Sequence, residues 1–161
     1  MLKYVETLVG FSEIPDEITL CINISNCPCH CKGCHSPYLA EDIGKELTID
    51  SLHELISNNK GITCVSFMGG DSSPKDINKL AQYIKEEFPD IKVAWYSGKP
   101  TISPWISLKY FDYIKIGSYI ETLGPLNSKT TNQRMYKIVH DNYEYGDQGI
   151  ELEDITYKFW K

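Results

Sequence analysis

The chain has 161 residues, enough for one domain around one core and too few for two of ordinary size. Its composition is that of a globular protein, 42% hydrophobic and 24% charged. A formal net charge of −6 excludes a protein that tracks nucleic-acid phosphates with a broad basic face. No apolar run reaches the length of a membrane span, and the first residues lack a charged-then-apolar signal pattern. A cytoplasmic protein with reduced thiols is therefore expected, not bound to a membrane and folded as a single minimal domain over 1–161.

In chain order, the first predicted element is a strand over 17–25, where Ile18, Leu20, Ile22 and Ile24 alternate with Thr19, Cys21 and Asn23. A cysteine-rich segment follows at its C-terminal end. A helix is expected over 48–58, with Thr48 as N-cap and Leu52, Leu55 and Ile56 on one face. A short apolar strand over 63–68 stops at Gly69-Gly70-Asp71. Pro74 then opens a helix whose buried stripe is Ile77, Leu80, Ala81, Ile84 and Phe88. A strand over 91–96 ends at Ser97-Gly98, a short helix is expected over 104–110, and a last strand over 113–119 is broken by Gly117.

This alternation of strand and helix implies an α/β fold with a parallel sheet and crossover helices. The tail over 144–161 is expected to form an edge strand or a lid. Ligands of such sheets collect at the C-terminal strand ends, and the cysteine segment, Gly69-Gly70-Asp71, Ser97-Gly98 and Gly117-Ser118 all fall there.

Four of the six cysteines, Cys27, Cys29, Cys31 and Cys34, lie within one short segment, too dense for a spread disulfide framework. The spacing Cys27-x3-Cys31-x2-Cys34 can hold three irons of a [4Fe–4S] cube and leave the fourth iron without a protein ligand. The competing reading is a zinc knuckle of Cys29, Cys31, Cys34 and His35, although no second ligand pair follows. Cys21 and Cys64 fall inside predicted strands and are expected to be small core residues. The glycines of Gly69-Gly70-Asp71 permit positive φ and close approach of a ligand to the backbone.

The CxxxCxxC loop after a first strand and the Gly-Gly-Asp after a second resemble the radical S-adenosylmethionine superfamily. The resemblance implies a partial, TIM-like βα barrel, a [4Fe–4S] cluster on Cys27, Cys31 and Cys34, and S-adenosyl-L-methionine on the open iron. It places the methionyl ammonium against Gly69, Gly70 and Asp71, and the adenine against Gly33 and His35. Gly33 departs from the superfamily pattern, which often has an aromatic residue there. Cys29 is left over.

Two further stretches, Asp112-Tyr113-Ile114-Lys115-Ile116-Gly117-Ser118-Tyr119-Ile120-Glu121 and Thr130-Thr131-Asn132-Gln133-Arg134-Met135-Tyr136-Lys137-Ile138, are similar to the activating proteins of anaerobic ribonucleoside-triphosphate reductase. So is Trp95-Tyr96-Ser97-Gly98. That resemblance implies reductive cleavage of S-adenosylmethionine to a 5′-deoxyadenosyl radical, which takes a hydrogen from a glycine of the reductase catalytic subunit. It also implies an electron donor such as flavodoxin or ferredoxin. An activase of another glycyl radical enzyme, such as pyruvate formate-lyase, and a small-molecule radical enzyme are the alternatives. Asn132, Gln133 and Arg134 are read either as partner or cofactor contacts or as a capped turn starting an exposed helix. Lys115 is left pointing either into the site or outward.

Overall fold

The structure, a computed structural model, describes residues 1–29, 41–140 and 150–160. Its elements are β1 (Lys3–Gly10), β2 (Thr19–Ile24), β3 (Lys45–Glu46), α1 (Ile49–Ser57), β4 (Cys64–Met68), α2 (Pro74–Glu87), β5 (Lys92–Tyr96), β6 (Tyr113–Ile116), β7 (Arg134–His140) and β8 (Ile150–Asp154). The strands form one mixed eight-stranded sheet in the order β3-β1-β2-β4-β5-β6-β7-β8. β2, β4, β5 and β6 are mutually parallel neighbours, and antiparallel strands flank them on both sides.

The parallel strands form because their residues are apolar on both faces, which suits a sheet covered on both sides. Ile22, Phe67, Trp95 and Ile114 stand in register on one face and belong to the main core. The buried stripes of the two helices, Leu52 and Ile56 of α1 and Ile77, Leu80, Ala81 and Ile84 of α2, pack into the same core. The other face carries Cys64, Ala94 and Tyr113, covered by Ile14, Met135 and Ile155. Cys21 and Cys64 are both buried, as small core residues should be.

Local signals set the helix starts. Thr48 caps α1 through a reciprocal pair with Ser51, each side chain bonding the other's backbone N–H. Pro74 sits in the first turn of α2, where its missing N–H is no loss.

Elsewhere the structure departs from the sequence expectation. In place of a helix over 104–110 there is only a 3₁₀ turn, Leu108–Tyr110. Ser107 is extended and its N–H donates to Asn78 Oδ1 on α2 at 2.7 Å, so it is not available for a helical bond. Arg134 opens strand β7 rather than an exposed helix, because its backbone continues into the antiparallel ladder with β6. Neither β1 nor β7 was expected. The tail supplies edge strand β8, while residues 144–149 of that expectation lie outside the described residues. Among the described residues, no helix is long and apolar enough to cross a membrane.

The N-terminal ends of the parallel strands are tied together by side chains. Glu17, almost wholly buried, accepts from Lys92 Nζ and Tyr113 OH, each at 3.0 Å, and from Thr63 Oγ1 at 2.8 Å. Asp112 pairs with Lys85, accepts the Val93 N–H at 2.9 Å, and has His140 Nε2 3.9 Å away.

Candidate functional site

The opposite, C-terminal ends of the same strands hold the candidate site. After β2 the chain turns at Asn26, which has a positive φ of 57°, and delivers Cys27 and Cys29, both half-buried free thiols. Asn26 N–H donates to the Glu41 carbonyl at 2.8 Å, so the residues that bracket the cysteine segment are joined at the strand end. Cys31, Gly33, Cys34 and His35 lie outside the described residues.

β4 ends in the turn Gly69-Gly70-Asp71. Gly69 and Gly70 have φ of 109° and 99°, conformations that L side chains rarely adopt. A Cβ on Gly70 would stand 2.5 Å from Ile77 Cδ1, so the second glycine also lets α2 pack beneath the turn. Both backbone polar groups of Gly69 are used internally: its N–H donates to the Tyr96 carbonyl at 3.1 Å, and its carbonyl accepts the Trp95 indole N–H at 2.7 Å. What Gly69 offers a ligand is therefore proximity.

The turn aims Asp71 across to β5. Its Oδ1 accepts from Ser97 Oγ at 2.6 Å and its Oδ2 from the Gly98 N–H at 2.7 Å, while the Cys29 thiol approaches Oδ2 at 3.8 Å. Burial first, then the Asp71 carboxylate and the neighbouring Cys27, push the Cys29 thiol up to about 12, with Lys99 acting in the opposite direction. The Cys29 thiol stands where it can donate to Asp71 Oδ2.

β6 completes the rim. Lys115 points inward, 8% exposed, and its ammonium donates to the carbonyls of Ser97 at 3.1 Å and Gly117 at 2.9 Å. Gly117, at a φ of 101°, ends the strand, and Ser118 Oγ donates to the Gly98 carbonyl at 2.6 Å. Asn132 Nδ2 donates to the Ser118 carbonyl at 3.0 Å and Gln133 Nε2 to that of Gly117 at 3.4 Å. These two amides brace the last turn of the rim. Their order in the chain gave no sign of that, because the bracing runs between β6 and β7, which was not expected.

On the second face of the sheet a cavity of about 780 Å³ opens beside Tyr96, walled by Phe11, Glu13, Leu126, Lys158 and Phe159. Tyr96 immediately precedes Ser97, so the cavity and the rim share β5.

Whether the residues present suit a metal cluster turns on donor chemistry. Among the described residues no three His, Cys, Asp or Glu side chains converge as a metal site. Two thiols do stand at one strand end, beside a glycine with no Cβ and backbone turned by positive φ, and two more belong to the segment rooted there. Soft sulfur donors in a segment rooted at a strand end fit an iron–sulfur cluster.

A family model described as a 4Fe-4S single cluster domain matches residues 18–141. No curated protein and no solved structure matches the chain.

Proposed function

The chain belongs to the 4Fe-4S single cluster domain family, and from that premise we propose that it is a radical S-adenosylmethionine activase. In this reading its parallel strands β2, β4, β5 and β6 are the incomplete βα barrel of that superfamily. Cys27, Cys31 and Cys34 would hold the cluster. Gly69, Gly70 and Asp71 would face the amino-acid end of S-adenosylmethionine, and Gly33 and His35 its adenine. Bound there, the reduced cluster and S-adenosylmethionine would supply a 5′-deoxyadenosyl radical able to take a hydrogen atom, the cluster's one electron being spent in the cleavage that also releases methionine.

The chain's own residues do the positioning. The glycine turn carries Asp71 to β5, where Ser97 and Gly98 fix both carboxylate oxygens. Lys115 holds the carbonyls of Ser97 and Gly117, so the ends of β5 and β6 stay in place while a ligand is bound. The observation that carries the reading is the 3.8 Å approach of Cys29 to Asp71, which joins two motifs 42 residues apart at the C-terminal ends of neighbouring strands. The protein substrate proposed is the glycyl loop of the anaerobic ribonucleoside-triphosphate reductase catalytic subunit, with flavodoxin or ferredoxin as electron donor. The cavity of about 780 Å³ beside Tyr96 leaves room next to the rim for a loop of such a partner.

The test is anaerobic loading with iron and sulfide, reduction, and measurement of methionine and 5′-deoxyadenosine, followed by electron paramagnetic resonance after mixing with the reductase. The expected result is a brown protein that cleaves S-adenosylmethionine and leaves a glycyl doublet on the reductase. Cys27→Ala, Cys31→Ala and Cys34→Ala each abolish both. A colourless zinc protein would sink the reading. Cleavage coupled to a small molecule, with no doublet on a competent reductase, would leave a radical enzyme that is not an activase.

A further inference from the structure

Cys29 is the thiol that a three-cysteine cluster does not need, yet it has a built seat. A Cβ on Gly98 would stand 2.6 Å from Cys29 Sγ and 3.3 Å from its Cβ. Gly98 is not among the glycines with positive φ, so backbone conformation does not demand glycine there. Space does. The recess it leaves is walled by Asp71, whose Oδ2 lies 3.6 Å from the same Cβ position, and is held by the Gly98 N–H on Asp71 and by Ser118 Oγ on the Gly98 carbonyl. Cys29 enters it from the end of β2, with its thiol 3.8 Å from Oδ2. Segments following three different strands, β2, β4 and β5, therefore meet at this one thiol.

We propose that Cys29 is a positioning residue: it pins the cysteine segment into the Gly98 recess and so sets where Cys27 and Cys31 stand. The inference rests on those two residues being cluster ligands. Cys29 is midway between them, two residues from each. Pinning that midpoint to the ends of β4 and β5 would remove part of the freedom the segment must lose when its thiolates converge on one cluster. Partners outside the ligand set commonly change metal affinity by ten- to a hundredfold.

The experiment uses the full chain, metal-free under reducing conditions and loaded with iron and sulfide. In the metal-free protein, thermal unfolding is measured for Gly98→Ala, Cys29→Ala and the double variant. Gly98→Ala is expected to lower the midpoint, and adding Cys29→Ala to recover most of the loss, since the clash partner is gone. Should Gly98→Ala alone not fold, a folded double variant is the same result. Additive losses, or a double variant that also fails to fold, overturn the seat.

In the loaded protein, Cys29→Ala is expected to take up the full complement of iron but release it to a chelator roughly tenfold faster. Release at the unsubstituted rate makes Cys29 a spare thiol, and failure to take up iron makes it a ligand; either result overturns the proposal. The metal-free cycle does not depend on S-adenosylmethionine chemistry, so a failed activase assay and a failed pin are separate outcomes.

Discussion

The two ends of the parallel strands are held with different emphasis. At the N-terminal end, carboxylates are met mainly by side chains: Glu17 takes Lys92, Tyr113 and Thr63, and Asp112 takes Lys85 along with the Val93 N–H. At the C-terminal end, side chains hold more of the backbone, with Asp71 on the Gly98 N–H as well as Ser97 Oγ and Lys115 on two carbonyls. The first arrangement is closed and needs no ligand. The second fixes the strand ends while glycines keep the space in front of them free of Cβ atoms. On the proposed function, stability and binding would be separated along one set of strands.

The strongest test of that division removes Glu17. Glu17→Ala strips a buried acceptor from Tyr113 and Thr63 and is expected to cost about 3 kcal/mol, read as a lower denaturant midpoint. Iron uptake should stay at the unsubstituted level. Loss of uptake in a protein that is still folded would break the comparison.

Gly70→Ala probes the other end. Forcing a side chain into a positive-φ turn against Ile77 is expected to cost about 2 kcal/mol, less than Glu17→Ala. Here, however, the proposed function has S-adenosylmethionine binding fall at least tenfold at temperatures where the variant is fully folded. Unchanged binding would remove the turn from the site.

The smallest effect is one of pH. Burial pushes the Cys21 thiol up to about 12, and burial with Glu17 nearby raises Cys64 and Tyr113 as well. Lys92 is raised by its bond to Glu17. Each group holds its proton more firmly folded than unfolded, so this stability is present below the unfolded pKa and is lost as pH rises toward the folded one. The metal-free melting temperature should stay level from about pH 7 to 8.5 and fall above about pH 9. Glu17→Ala should flatten the fall. A melting temperature constant to pH 11 would mean that the N-terminal cluster does not hold these protons.

The parallel strands were legible in the chain because each is a short apolar run closed by a glycine, a serine or the cysteine segment. β1 was not legible, because Val5, Leu8 and Val9 are all at least 36% exposed and a register shift between Tyr4 and Glu6 breaks its alternation. β7 was hidden for a different reason: Met135 and Ile138 lie three apart and pack into opposite clusters, and read in the chain that spacing is the one of a single helix face. At the site, the cysteine and glycine motifs could be read because their residues are adjacent in the chain. The inward aim of Lys115 and the seat of Cys29 at Gly98 could not, since both depend on distant strand ends brought together by the sheet register.

The bond from the Trp95 indole to the Gly69 carbonyl makes the glycine turn optically visible. Trp95 is buried within the main core, so its emission should be blue, and Trp105, 57% exposed, should emit further to the red. With Trp105 and Trp160 replaced by Phe, the remaining fluorophore is hydrogen-bonded to the first residue of the turn. Whatever draws that carbonyl away, or quenches from the rim beyond it, would be recorded in the colour and lifetime of one ring, without a label and in an anaerobic cuvette.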